Sequence, residues 1–140
     1  INMGIGTALG DQGLIVPVLH NAQDMDLQAI AEKLADLTSR ARENKLGPAD
    51  VRGGTFTISN HGVSGSLIAT PIIINQPQSA ILGVGKIEKR IKIREIDGED
   101  VMSIRPMCYV SLTIDHRVLD AFQTNAFLTE LVSVLENWSD

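Results

Sequence analysis

Asp97-Gly98 constrains this chain more than any other pair of residues. Asp-Gly suits a two-residue hairpin turn, because both central positions of that turn call for a positive φ. Folding about it sets Ile93 across from Met102 and Ile91 across from Ile104, which makes one face of the ribbon consistently apolar. Lys86, Glu88, Arg90, Lys92 and Arg94 fall on the other face, which reads as solvated. The span from Ser79 to Ile114 therefore reads as one long antiparallel hairpin, and any fold for this sequence has to be built around a sheet.

A second, shorter hairpin is expected at the start. Residues 1–9 and 13–19 are apolar runs parted by Gly10-Asp11-Gln12-Gly13, and Pro17 suits an edge strand because it has no N–H for a ladder. His20 follows in a polar exit and is expected at the surface. Asp26 then caps a helix whose Leu27, Ile30, Leu34, Leu37 and Ala41 form one buried stripe. Asp36 and Arg40 are an i,i+4 pair, and Arg40, Arg42 and Lys45 complement the negative helix end. Gly47 and Pro48 are read as the stop. A short strand is expected at Thr55–Ser59, then a loop over 60–66 rich in Gly, Ser and Asn. An anion-binding nest is one reading of that loop; it lacks the pattern of a nucleotide P-loop. A final helix carries Leu128, Leu131, Leu135 and Trp138 on its stripe, widened by Phe127 and Val134. The whole reads as a mixed sheet covered by two long helices.

Composition narrows the function. The 140 residues are one domain or less, and 44% apolar residues allow it a core. A net charge of −5 without any Lys/Arg cluster argues against nucleic acid as a partner. The single cysteine excludes an internal disulfide, and the three His residues have no metal-ligand spacing with it. No apolar run reaches transmembrane length and no signal pattern opens the sequence, so no membrane partner and a reducing compartment are expected.

The chemistry concentrates where the last strand ends. Tyr109, Ser111 and Thr113 alternate with Val110, Leu112 and Ile114, and the run delivers the chain into Asp115-His116-Arg117-Val118-Leu119-Asp120. A His with a pKa of about 6.5 is mostly neutral at pH 7, as a general base must be. The same residues also fit a charged strand-to-helix turn with a solvated His. Cys108 is no partner for it. Eight residues of extended strand would part the two by roughly 26 Å at ~3.3 Å each, and Cys108 is expected to be a small core residue.

Asp115–Asp120 resembles the D-H-R-x-x-D signature of the dihydrolipoyl acyltransferases, the core subunits of 2-oxo acid dehydrogenase complexes. It contains the H-x-x-x-D shared with chloramphenicol acetyltransferase. Gly13–Val18, Gly53–Asn60, Thr70–Ile73 and Pro77–Gly83 are similar to further blocks of that family, in its order. The resemblance implies a chloramphenicol acetyltransferase-like α/β sandwich, here lacking the N-terminal part of the domain, so that residues 1–140 are the C-terminal portion of one catalytic domain. It implies acyl transfer between a dihydrolipoyl arm and coenzyme A, with coenzyme A as substrate and the lipoyl group carried on a separate domain.

By the same resemblance His116 is the general base, Ser59 the oxyanion donor, and Asp120 the third member, more structural than catalytic. Asp115 and Arg117 are expected to fix the loop. The family places the serine hydroxyl across a subunit boundary from the histidine. It thus implies a homotrimer that builds a larger core and binds dehydrogenase and dihydrolipoamide dehydrogenase subunits. Bacterial cytoplasm is the expected location, or the mitochondrial matrix in a eukaryote. Two departures stand out: Ala121 where Gly is usual, and Ile114 where an aromatic is common. Gly65–Leu67, Thr70–Ile73 and Pro77–Gly83 lean toward succinyl transfer; Ser59 in place of Thr leans toward acetyl or branched-chain acyl groups. The alternatives are an inactive assembly fragment of such a core and a free-standing small-molecule acetyltransferase.

Overall fold

The computed structural model describes residues 1–139. Its strands are β1 (Met3–Ile5), β2 (Thr7–Ala8), β3 (Leu14–Ile15), β4 (Val18–Leu19), β5 (Phe56–Asn60), β6 (Ala80–Val84), β7 (Glu88–Ile96), β8 (Glu99–Met107) and β9 (Val110–Ile114). Helix α1 (Leu27–Arg42) precedes β5, and α2 (Ala121–Glu136) follows β9. Five strands form one sheet in the order β4-β1-β5-β6-β9. Within it β1, β5 and β6 run parallel, while β4 and β9 are antiparallel edges. The mixed sheet with two long helices is thus as the sequence suggests. Pro17 sits buried just before the edge strand β4, where its missing N–H breaks no central ladder.

The N-terminal hairpin forms, interrupted at Gly6 and Pro17, so that β2 pairs with β3 as a separate tip. Asp26 caps α1 by accepting the Ala29 N–H at 2.8 Å. Only the C-terminal half of the expected stripe is buried: Leu37 and Ala41 are 1% exposed, whereas Leu27 is 63% exposed. Gly47 is not the stop. Asn44 takes the left-handed conformation (φ 54°), with its N–H on the Ala41 carbonyl and the Lys45 N–H on the Arg40 carbonyl. That is a Schellman closure, and Asn tolerates the conformation through its short polar side chain. Gly47 instead opens a 3-10 turn over Pro48–Val51, its N–H bonded to the Asp50 carboxylate at 2.8 Å. Arg40 grips the same carboxylate at 2.8 and 3.1 Å while also bridging Asp36 at 3.0 Å. The Asp50 carboxyl is held down to about 2, chiefly by Arg40 and next by the Gly47 N–H.

The core lies against the sheet from its β4 edge to β6, with Val18, Leu19, Ala69, Ala80, Ile81 and Leu82 buried. Thr57 and Gln78 are buried with them and satisfy each other through a 2.7 Å hydrogen bond. At the end of strand β6 there is no room for a side chain at Gly83, nor just beyond it at Gly85. A Cβ on Gly83 would stand 2.6 Å from the Ala69 carbonyl oxygen, and one on Gly85 only 2.1 Å from that of Leu67. Segment 67–71 therefore lies directly on this strand.

The long hairpin has the expected register, with Ile93 opposite Met102 and Ile91 opposite Ile104 around Asp97-Gly98, both at positive φ. It divides, however, into the β6–β9 pair inside the sheet and a β7–β8 arm that leaves it. On the arm the expected solvation is reversed. Ile91, Ile93, Met102 and Ile104 are 67%, 59%, 73% and 70% exposed. The charged row is the more sheltered one: Lys92 pairs with Glu136 of α2 at 2.9 Å, and Arg90 bonds the Tyr109 hydroxyl at 2.7 Å. A two-stranded ribbon has two open faces, and here the polar end of α2 approaches the charged one. Cys108, expected in the core, is exposed at the point where the arm departs, with no second layer over it among the described residues. In α2 the stripe is only half-buried at Leu128 and Leu131. Trp138, just past the helix end, is 59% exposed, and Phe127 reaches back to Phe56 with ring centroids 6.0 Å apart.

Candidate active site

Ser59 lies on β5 opposite Gly83 of β6, which in turn faces Ser111 of β9. Alternation puts Thr57, Ser59, Ser111 and Thr113 on one sheet face and Phe56, Ala80 and Leu112 on the other. The second face, together with Leu119, Gln123 and Phe127, bounds a cavity of about 530 Å³ between sheet and α2. Neither Ser59 nor His116 lines it, so it is part of the layer packing rather than of the candidate site.

His116 does not stand on the strand itself. Strand β9 ends at Ile114, and His116 sits exposed in the turn that follows, where the Val118 and Leu119 N–H groups both bond the Asp115 carbonyl at 2.9 and 3.0 Å. The turn is clamped by its own charges. Asp115 takes the Arg117 backbone N–H at 3.0 Å and its guanidinium at 2.6 to 3.2 Å. Arg117 holds the Asp115 carboxyl at about 2, so the pair stays charged at neutral pH. Asp115 and Arg117 are thus loop-fixing partners. The imidazole itself makes no hydrogen bond among the described residues.

Asp120 caps α2, its carboxylate accepting the Gln123 N–H at 2.9 Å. Ala121 is the first helical residue and has no positive φ, so the usual glycine is not required there for backbone reasons. Asp120→Asn, which preserves a cap, is expected to leave thermal stability nearly unchanged, whereas Asp120→Ala should cost about 1 kcal/mol. Equal losses in the two variants by calorimetry would dismiss the capping role.

Ser59 and His116 do not meet within one chain. Three residues along the strand and two strand spacings separate the Ser59 and Ile114 Cα atoms by roughly 14 Å, and His116 lies two residues beyond Ile114. What sequence reading overlooks is His61, whose Nε2 is 3.0 Å from Ser59 Oγ. The signal was present: residues i and i+2 at a strand exit share a face.

These features define a class. The chain belongs to the family described as 2-oxoacid dehydrogenases acyltransferase (catalytic domain), whose model matches residues 1–140. Among individual proteins it is 47% identical, over 134 residues, to the dihydrolipoyllysine-residue succinyltransferase component of the 2-oxoglutarate dehydrogenase complex of Rickettsia typhi. That match covers 95% of this chain and 32% of the relative. A crystal structure of a probable dihydrolipoamide acetyltransferase from Listeria monocytogenes superposes with a TM-score of 0.90 at 41% identity, covering all of this chain and 57% of that one. A third match is the Azotobacter vinelandii dihydrolipoamide acetyltransferase, at TM-score 0.88 and 35% identity over 98% of this chain and 54% of that one. In that protein a serine, a histidine and an asparagine four positions after the histidine were investigated for their role in the catalytic mechanism. The chain therefore spans about a third of the length of the curated relative.

Proposed function

We propose that residues 1–140 are the C-terminal portion of an acyltransferase catalytic domain that moves an acyl group between a dihydrolipoyl arm and coenzyme A. The observation that carries this reading is His116: an exposed, unbonded imidazole on a turn clamped by Asp115 and Arg117, between β9 and α2. Support comes from the Azotobacter protein, where the histidine is followed at the same four-residue interval by an asparagine; here that position is Asp120. The imidazole takes the proton of the incoming thiol, and the thiolate attacks the thioester carbonyl. Ser59 Oγ–H donates to the oxygen on which charge develops. Collapse breaks the original C–S bond and expels the second sulfur as a thiolate, which takes the proton from the His116 imidazolium. Asp120 serves this site through the cap that starts α2, four residues after the base.

The roughly 14 Å between Ser59 and the end of β9 supports a site shared between neighbouring chains. The smallest active unit is then a homotrimer, which builds a larger core and works with dehydrogenase and dihydrolipoamide dehydrogenase subunits. Among the described residues no helix is long and apolar enough to cross a membrane, and with bacterial relatives at hand we place the protein in the bacterial cytoplasm. For the acyl group we favour succinyl, after the Rickettsia relative. The test is to compare succinyl-, acetyl- and isobutyryl-coenzyme A with dihydrolipoamide on the complete protein. Succinyl is expected to have the highest kcat/KM. No transfer from any of the three would end the acyltransferase reading.

A further inference from the structure

Four hydroxyls line the sheet face that carries Ser59. The Thr57 hydroxyl bonds Gln78 Oε1 at 2.7 Å, that of Ser111 bonds the Ala69 carbonyl, and that of Thr113 bonds the Pro71 carbonyl. Each of those three is engaged with an oxygen that accepts. A hydroxyl has one proton to give, so all three are spent on structure. Ser59 alone is paired with a nitrogen, Nε2 of His61 at 3.0 Å. Gly83 is the register partner of Ser59, and Gly6 is the residue whose added Cβ would stand 3.5 Å from Ser59 Oγ.

His61 is held for the task. Its backbone N–H bonds the Val84 carbonyl at 2.9 Å. Its own carbonyl accepts the Ser64 N–H at 3.1 Å and the Ser64 hydroxyl at 2.8 Å. We infer that His61 is a positioning residue for acyl transfer: its Nε2–H donates to Ser59 Oγ, leaving the one hydroxyl proton for the developing oxyanion. Successive donors in such a chain polarise one another, which strengthens the final bond. The inference rests on Ser59 being the oxyanion donor, as proposed above.

The experiment measures kcat and KM for coenzyme A and dihydrolipoamide in the complete, assembled protein. Losing an oxyanion donor outright costs about 10²–10³ in kcat, and losing the group that orients it should cost less, about tenfold. His61→Leu is expected to show that loss with KM little changed, since the bond matters only as charge develops. His61→Gln, whose amide N–H can replace Nε2–H, should recover most of it. In a Ser59→Ala background, His61→Leu should cost nothing further. If the leucine protein does not assemble, His61→Asn, with its amide drawn back by one methylene, replaces it as the loss variant. Equal kcat in the loss variant and the wild type overturns the inference, as does equal loss in the Gln and loss variants. An additional loss in the Ser59→Ala background overturns it too. Should Ser59→Ala itself be fully active, it is the assignment of Ser59 that fails, a result distinct from all of these.

Discussion

Replacing His116 with alanine is expected to lower kcat for acyl transfer to free dihydrolipoamide by about 10²–10⁴-fold, the usual contribution of a positioned general base. The reason is the nucleophile. A free thiol with a pKa of about 8.5 is only a few per cent ionised at pH 7, and in the proposed mechanism the imidazole supplies the missing deprotonation. That account carries a second expectation with its own sign. Without the base, rate should follow the thiolate already present in solution, so the alanine protein should gain roughly 15-fold between pH 7 and 8.5. KM should move little, because the proton is transferred only as the transition state forms. The Asp115–Arg117 clamp, whose carboxyl lies near 2, does not titrate in this window and leaves the turn intact. Near-normal turnover in a correctly assembled alanine protein would remove His116 from the reaction.

The second large effect is a recovery. Full-length Ser59→Ala and His116→Ala chains should each be nearly inactive, yet regain activity when dissociated together and reassembled in equal amounts. In the proposed cyclic trimer each site takes one residue from each of two neighbouring chains. Random mixing then pairs an intact Ser59 with an intact His116 at about one site in four. Activity of about a quarter of the wild type is therefore expected. The geometry behind it is the strand register: Ser59 stands level with Gly83, while the strand leading to His116 leaves the sheet at the Ala80 end. Mixed trimers that form but stay silent would show that the two residues act within one chain or not at all.

The sequence is most explicit where a local rule leaves one solution. Asp97-Gly98 dictates the arm's register to the residue, and Asp26 marks the start of α1, because turn and cap chemistry act over four residues. It is silent where the answer depends on what packs alongside. Ile91 and Ile104 form a consistent row in the sequence, but nothing in that row says whether it is the covered face of the ribbon. Cys108 looked like a core residue for the same reason. The end of α1 was misplaced because Gly47 outranks Asn44 as a stop on propensity, although either tolerates the left-handed conformation. At the candidate site, the clamped turn that carries His116 is legible through the charged neighbours Asp115 and Arg117. The contact of His61 with Ser59 is not, because it depends on which of four similar hydroxyls has a nitrogen beside it.

The Arg40 clamp sets how this molecule meets acid. Asp50 has a folded pKa of about 2 against an ordinary 3.8, so the stabilisation it provides is complete above that ordinary value, declines below it and is gone once pH has fallen through about 2. Carboxylates with ordinary pKa values protonate earlier. The corner joining the last turn of α1 to the approach of β5 should therefore keep its tie while other charged contacts are already being lost. Hydrogen exchange at pH 3 is expected to find the end of α1 among the last segments to open. Early exchange there would mean that the clamp does not hold in acid. On the arm, Lys92 likewise holds the half-exposed Glu136 carboxyl below its ordinary range, but that contact lies nearer to solvent and is the more easily screened by salt.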